Sequence, residues 1–451
     1  MSADWQTVRI GDLGKVVTGK TPSTAVSENF GGNYPFITIP DLDGRREITA
    51  SARTLSELGA QAMRSCRLPA GAVMMSCIAT IGKCGITTRA SFTNQQINSL
   101  ICKDGVDPKF VYYSFSQLGK ALEAAGGGGS VYTNVSKSRF ESIEIKIPSL
   151  QTQKAIVAIL VKLDDKIESN RRINQTLEAM AQALFKSWFV DFEPVKAKIT
   201  AIQEGRDPLR AAMSAISGKA DAELHALPPE QYAQLAATAA LFPDEMQESE
   251  VGEIPKGWAF RSLADIAQFA SGKTDVSSLT EDLYISTENM LENRAGITRA
   301  SSLPSVATVP SFKAGQILVS NIRPYFKKLW MARFDGGRSP DVLAFEPTDY
   351  QWAEFAYNLM YQDAFFEFMT RTAKGAKMPR GDKDAIMGWR FPCPVEFLMI
   401  AFSENVRPNY AHIESLNSQN KSLSELRDAL LPKLLSGELS VEALSEPTGA
   451  A

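Results

Sequence analysis

Ile167-Glu168-Ser169-Asn170-Arg171-Arg172-Ile173-Asn174-Gln175-Thr176-Leu177-Glu178-Ala179-Met180-Ala181-Gln182-Ala183-Leu184 returns, without a gap, as Ile413-Glu414-Ser415-Leu416-Asn417-Ser418-Gln419-Asn420-Lys421-Ser422-Leu423-Ser424-Glu425-Leu426-Arg427-Asp428-Ala429-Leu430. Asn174 matches Asn420, Leu177 matches Leu423, Met180 stands opposite Leu426, and Ala183-Leu184 match Ala429-Leu430. Further upstream, Trp5 to Thr21 aligns with Trp258 to Thr274, and both stretches end in Gly-Lys-Thr. Each half therefore runs from a Trp-led opening through a globular segment into a long helix. A duplicated chain presents two similar surfaces, which suits a partner that is itself roughly two-fold symmetric.

The repeated stretch lies inside a heptad pattern. Counted from Ile156, the a and d positions are Ile156, Ile159, Leu163, Lys166, Asn170, Ile173, Leu177, Met180 and Leu184. Only Lys166 and Asn170 are polar, a break of the kind that fixes register in a coiled coil. At ~1.5 Å per residue the helix is about 50 Å long, more than a domain of this size can cover, so it needs a partner helix. Tyr410 to Leu435 supplies one, with Ile413, Leu416, Asn420, Leu423, Leu430 and Leu434 in the seam and Gly437 as the C-terminal cap. Pro408 is expected to kink this second helix or to mark its start. Two unconnected amphipathic surface helices would not need so long a strict seam.

The expected division is residues 1–150 as a first globular domain, 151–190 as the first long helix and 191–256 as a linker. A second globular domain at 257–396, the second long helix at 397–440 and a flexible tail at 441–451 complete it. The stretch 191–256 is Ala-rich and polar, with Pro228-Pro229 and an acidic run from Asp244 to Glu250, and reads as a linker with some helix and not as a third core. Phe36 to Ile39, Ala72 to Met75, Ile143 to Ile147, Gln316 to Ser320 and Asp341 to Phe345 read as strands. Phe110 to Ala125, broken by Gly126 to Gly129, and Trp352 to Met369 read as helices. The fold class is α+β: two globular domains related by the internal repeat, with two long helices that pair as a coiled coil.

Composition narrows the chemistry. The 451 residues are 44% hydrophobic and 22% charged, with a net charge of −3, so no global field draws in nucleic acid and any such binding rests on local basic clusters. No run reaches the roughly 18 apolar residues of a membrane span, and no basic-then-apolar signal segment opens the chain. The expected location is the cytoplasm, with no membrane partner. The cysteines Cys66, Cys77, Cys84, Cys102 and Cys393 form no Cys-x-x-Cys pair and are expected to be reduced, with no metal bound. His225 and His412 are the only histidines, a poor inventory for acid–base or metal chemistry.

Gly14-Lys15-Val16-Val17-Thr18-Gly19-Lys20-Thr21 fits the phosphate-loop pattern residue for residue. That loop needs a helix behind it, but Pro22-Ser23 and a polar run follow, and the second half has Ala267 at the first-glycine position. What the halves share is a Gly-Lys-Thr turn, so a P-loop ATPase is a poor reading. The chain also lacks an Asn-Pro-Pro-aromatic or similar tetrapeptide for holding a flipped base, and a compact carboxylate–Lys cluster for a nuclease metal. No catalytic residue and no cofactor are expected.

The basic and amide-rich clusters carry more. Ile81-Gly82-Lys83 leads to Thr93-Asn94-Gln95-Gln96, side chains able to bond base edges bidentately. The second half has Asn321-Ile322-Arg323-Pro324-Tyr325-Phe326-Lys327-Lys328 there, with Lys83 aligned to Lys327. After each domain's last helix comes a glycine-containing basic loop. The first runs from Gly126 to Ser130 and on to Asn134, Ser136, Lys137 and Arg139, and the second from Lys374 to Lys383. Such loops can approach a phosphate backbone closely.

With these residues in view, the chain resembles a specificity subunit of a type I restriction–modification system along nearly its whole length. Ser187-Trp188-Phe189-Val190-Asp191-Phe192-Glu193-Pro194, Gly252-Glu253-Ile254-Pro255-Lys256-Gly257-Trp258, Ser320-Asn321-Ile322-Arg323-Pro324-Tyr325 and Leu430-Leu431-Pro432-Lys433-Leu434-Leu435-Ser436-Gly437-Glu438 carry the resemblance. It implies two target-recognition domains in a pseudo-two-fold arrangement, each reading half of a split double-stranded DNA sequence, separated by two long antiparallel coiled-coil helices. It further implies docking of two adenine-N6 methyltransferase subunits and of motor-nuclease subunits. Because Thr93-Asn94-Gln95-Gln96 has no counterpart in the second half, the expected target is asymmetric. The residues expected at DNA are Lys20, Thr21, Lys83, Asn94, Gln95, Gln96 and Lys137, then Lys273, Thr274, Asn321, Arg323, Tyr325, Lys327, Lys377 and Arg380. Those expected in the helix seam are Ile156, Leu163, Ile173, Leu177, Leu184, Ile413, Leu416, Leu423 and Leu430. The rival reading is a coiled-coil protein-interaction scaffold without DNA specificity, which predicts no salt-dependent DNA affinity.

Overall fold

The computed structural model describes residues 5–78, 80–126, 134–250 and 252–441. Two compact units emerge, Met1–Arg172 with Leu416–Ala451, and Ile173–Ser415, so each unit takes its own stretch of both long helices.

In the first unit a sheet runs in the order Gly14–Thr18, Ile97–Cys102, Val73–Ser76, Cys84–Thr87, Glu47–Ile48. Val73–Ser76 is buried throughout because its alternating side chains serve two cores. Val73 and Met75 pack with Phe110 and Phe115 of the helix Pro108–Gly126, while Met74 packs with Phe36 and Phe92. Gly127 to Ser130 of the glycine-rich loop lie outside the described residues. A ribbon of Gln6–Arg9 against Glu144–Ile147 leads the chain into the first long helix, Leu150–Phe189. Its Ile156, Val157 and Leu160 join the core together with Leu431 and Leu434 of the second long helix, Glu396–Ser436.

The two helices run antiparallel in this unit. Asp164 accepts from Arg427 Nη1 at 3.0 Å, and the fully buried Asn170 donates to Gln419 Oε1 at 2.6 Å and Asn420 Oδ1 at 2.9 Å. Asp164 also accepts from the Tyr113 hydroxyl and lies 3.6 Å from Arg46 Nη1, while Arg46 Nη2 reaches Asp165 at 2.8 Å. One carboxylate thus ties Arg46, Tyr113 and this unit's stretches of both long helices together.

The second unit repeats the frame. Its sheet runs Ala267–Phe269, Val342–Pro347, Ile317–Ser320, Leu329–Met331, and its ribbon pairs Ala259–Ser262 with Arg390–Cys393. A second sheet runs Lys273–Asp275, Thr308–Phe312, Gly336–Arg338, Tyr284–Ile285. Phe185, Trp188 and Phe189 of the first long helix pack edge-on or tilted against Phe355, Phe402, Phe242 and Trp258, geometry that aromatic quadrupoles favour.

Four expectations differ from what is found. The stretch 191–256 holds helices Glu193–Gln203, Pro208–Ser217, Asp221–Leu224 and Pro229–Ala240. Their Val195, Ala212, Met213, Ile216, Leu224 and Ala239 are buried in the second unit's core. Pro194, Pro208 and Pro229 stand in the first turns of three of these helices, where the missing N–H costs nothing. Of the two roles expected for Pro408, marking the start of the second long helix is not the one found, since that helix begins at Glu396; Glu404 and Pro408 both lie on its exposed face, so a carbonyl left without a donor can face solvent. Trp352 to Met369 is two helices, Ala353–Tyr361 and Asp363–Thr372. Between them Gln362 is extended, and its side chain donates to the Asn358 carbonyl and to Gln182 Oε1, each at 3.0 Å.

The fourth difference is the seam of the first long helix. Ile156 is buried, Leu163, Leu177 and Leu184 are half-buried, and Ile173 and Met180 are 38% and 56% exposed. Asn170 of the expected seam is fully buried, but elsewhere the buried row lies one residue further on, at Val157, Leu160, Ile167, Ala181, Phe185 and Trp188. Counting apolar residues misses this row because it is interrupted by Asp164 and Glu178, which are held by polar contacts. On the second helix Leu416 is buried and Ile413, Leu423 and Leu430 are half-buried.

Glu178 has Tyr410 and Gln182 within hydrogen-bonding reach and Arg333 and Tyr357 nearby, and burial pushes its carboxyl up to about 7. A carboxyl raised by folding destabilises the native state as pH rises from its ordinary range through its folded value. The second unit should therefore lose stability between about pH 4.5 and 7, and Glu178→Gln should flatten that dependence in melts across the range. Asp164→Ala leaves Arg46 with Asp165 and Arg427 with Asp428, so it should cost about 1–3 kcal/mol in urea denaturation of the first unit.

Candidate nucleic-acid interface

In each unit the end of a hairpin, a turn after it and the start of a short helix are drawn to one place by main-chain hydrogen bonds. In the first, Cys77 N donates to Gln96 O at 2.7 Å, Val135 N donates to Cys77 O at 2.8 Å, and Ile78 bridges to Asn134. In the second, Asn321 N donates to Asp341 O at 2.8 Å, Gly381 N donates to Asn321 O at 3.1 Å, and Ile322 bridges to Arg380. Ser136 caps the helix Lys137–Ser142 in one and Asp382 caps Lys383–Met387 in the other.

This correspondence corrects one alignment. Ser76 N donates to Lys83 O and Ser320 N to Lys328 O, so Lys83 is the counterpart of Lys328, and the second hairpin tip is one residue longer. Lys83 is exposed. Lys328 is occupied, its Nζ donating to Thr287 O at 2.8 Å beside the Phe326 ring.

The first unit gathers Lys20, Thr21 and the 93–97 turn. Gly19 N donates to Ile97 O and Lys20 N to Thr93 O. A Cβ on Gly19 would lie 2.2 Å from Asn94 O, so only glycine allows this approach. Thr21 Oγ1 donates to Gln95 Oε1 at 2.7 Å. Asn94 is not free to read bases: it is buried, its Oδ1 accepts from Gln96 N at 3.1 Å, and its Nδ2 donates to Gln96 Oε1 at 3.0 Å. An Asx turn therefore uses the amide that the sequence seemed to offer to DNA. Lys20 and Gln95 are exposed, and Gln96 half-buried. Lys137 is exposed at the start of its helix, 3.6 Å from Glu141.

The Gly-Lys-Thr match does not extend to structure. Lys20 and Thr21 leave the sheet as a loop, whereas exposed Lys273 and half-buried Thr274 begin a strand paired with Thr308–Phe312. No helix follows Lys20 before the short turn Ser27–Asn29, so the phosphate cradle of a P-loop is missing from the described residues there.

The second unit joins the 321–328 tip to the 374–381 loop. Arg323 N donates to Pro379 O at 2.8 Å, and Lys374 and Arg380 exchange main-chain bonds at 2.8 and 2.9 Å. Arg323, Lys374, Lys377 and Arg380 are exposed there, with Arg380 Nη2 3.1 Å from Asp341 Oδ1. Two expected contacts are structural instead. Asn321 is 7% exposed and its Oδ1 faces Gly381, where an added Cβ would come within 2.7 Å. Lys327 Nζ is held by Asp363 Oδ1 at 2.7 Å, and Arg294 binds the same carboxylate. Lys327 and Arg294 keep that carboxyl below the usual range. Sequence reasoning missed Asp363 because it reads as the interior of one long helix. It also passed over Met378, an exposed apolar residue inside a basic run.

Among the described residues there is no group of three or more His, Cys, Asp or Glu side chains able to hold a metal ion, and no helix long and apolar enough to cross a membrane.

Comparison with known proteins finds clear relatives. Residues 2–179 match the family model described as type I restriction modification DNA specificity domain. The type I restriction enzyme HindI specificity subunit of Haemophilus influenzae is 36% identical over 319 residues, covering 66% of this chain and 69% of that protein. The MjaIX specificity subunit of Methanocaldococcus jannaschii is 27% identical over 467 residues, covering 98% and 95%. Among solved structures, the type I restriction–modification S subunit from M. genitalium aligns at 15% identity and a TM-score of 0.48, covering 96% of each chain. This chain belongs to the family of type I restriction enzyme specificity subunits.

Proposed function

We propose that this chain selects the DNA target of a type I restriction–modification complex in the cytoplasm, reading an asymmetric two-part sequence without performing catalysis itself. Residues 1–150 and 257–396 act as the two target-recognition domains. The observation that carries the reading is that both units build the same main-chain frame yet present different side chains on it. The first offers Lys20, Gln95, Gln96, Lys83 and Lys137; the second offers Arg323, Tyr325, Lys377 and Arg380, with Lys273 on a neighbouring strand. Arg and Gln side chains can bond base edges bidentately, whereas lysines serve phosphates. Two unlike readers imply two unlike half-sites.

The long helices are the proposed docking site for two methyltransferase subunits, to which motor-nuclease subunits are added. Ile173, Met180 and Leu426 support this, since these large apolar side chains are exposed on the helices, a pattern associated with partner surfaces.

Expressing the chain with its methyltransferase subunit in a host without adenine methylation, and mapping N6-methyladenine across the genome, should yield one asymmetric two-part motif with a fixed gap. Background methylation alone, from a methyltransferase that is folded and bound to the chain, would favour the scaffold reading. Arg323→Ala should relax the second half of the motif only, with a loss of ~1–3 kcal/mol of base discrimination; unchanged affinity and motif would remove Arg323 from the interface. Lys377→Ala should weaken all sequences alike and lower the slope of log affinity against log salt by about one, measured by titration at several salt concentrations.

A further inference from the structure

The turn at the second hairpin tip is held in an unusual way for a surface loop. Arg323 and Lys327 both adopt left-handed backbone, with φ of 50° and 51°, on either side of the short turn Pro324–Phe326. Neither is glycine, so the conformation persists only because its surroundings enforce it. Arg323 N is fixed to Pro379 O, Lys327 N to Pro324 O, and the Lys327 side chain to Asp363. The product of this bracing is one exposed aromatic ring. Tyr325 is 49% exposed and rests against Phe326 with ring centroids 4.8 Å apart. Met378, also 49% exposed, comes from the loop zipped to it through Pro379. Exposed Arg323 and Lys377 lie on the same two loops, while Lys374 and Arg380 there are paired to Asp382 and Asp341. A braced apolar tip on loops that also carry cations is a poor design for a solvated loop and a good one for entering a base stack while phosphates are held nearby.

We propose that Tyr325, with Met378 beside it, is a wedge that partly unstacks one base step of the second half-site. This rests on the DNA-recognition reading above and adds a readout by deformability to the readout by hydrogen bonds. Among the described residues the first domain has no such tip: the counterpart stretch Cys77 to Lys83 has no aromatic residue, and Gly82 lies against the helix Pro108–Gly126, where a Cβ on it would meet Gly119 Cα at 2.4 Å. The second half-site is therefore bent and the first is not, and a flexible pyrimidine–purine step is favoured where the ring enters.

The test uses the full chain bound to its methyltransferase subunits, on a duplex carrying the mapped motif. Single 2-aminopurine probes are placed throughout both half-sites, except at the methylated adenines and their partners. Fluorescence should rise on binding at one step of the second half-site and nowhere in the first. Tyr325→Ala should abolish that rise and weaken binding about tenfold, Tyr325→Phe should keep both, and Met378→Ala should diminish the rise. No rise at any probe, or a rise unchanged in Tyr325→Ala while the motif is still bound and methylated, would overturn the wedge and leave DNA recognition standing. Failure of the wild-type complex to prefer any motif would overturn both.

Discussion

The main-chain hydrogen bonds that fasten the segment after the last domain helix to the hairpin in each domain govern everything the two interfaces can present. Val135 N to Cys77 O in one domain and Gly381 N to Asn321 O in the other are the same bond made by unrelated side chains. Backbone donors and acceptors are common to all residues, so this frame survives almost any substitution at the tip. The residues that differ between the domains are free to do so because the fold does not use them. Where glycine is required, at Gly19, the reason is close approach of a neighbouring main-chain carbonyl.

Charge is divided in the same spirit between groups that anchor and groups that are offered outward. Asp363 holds Lys327 and Arg294, and Asp164 engages Arg46 and Arg427. These carboxylates place arginines and lysines that would otherwise count as basic surface into the scaffold. With a net charge of −3, the chain has little positive field to spend on nonspecific attraction, and the cations left at the interface are concentrated on the tips. Affinity from such a surface depends on a small number of contacts and falls gently with salt compared with a basic protein.

The duplicated stretch made the long helices and the two-domain plan legible, because an ungapped repeat and a 3.5-residue period survive in one dimension. The strands at 73–76, 144–147, 317–320 and 342–347 were likewise visible as short apolar runs. What failed to show was any property decided by a partner far along the chain. Asn94 looked like a base reader until the turn that consumes its amide was in place, and Lys327 looked free until Asp363 stood beside it. The buried row of the first helix was misread for a related reason, since a polar position such as Asp164 is satisfied by Tyr113 and Arg427. The prolines of 194–229 were ambiguous because proline both breaks helices and begins them.

The first unit's core includes Leu431 and Leu434, which gives the order of synthesis an unexpected bearing. A chain made at roughly 5–20 residues per second exposes the sheet of its N-terminal domain long before those leucines are available to cover it. The second unit, by contrast, is one continuous stretch, Ile173–Ser415, and has all its residues once Ser415 leaves the ribosome. The domain that is made first is thus the one that matures last, and its folding waits on contacts of very long sequence separation, which form slowly.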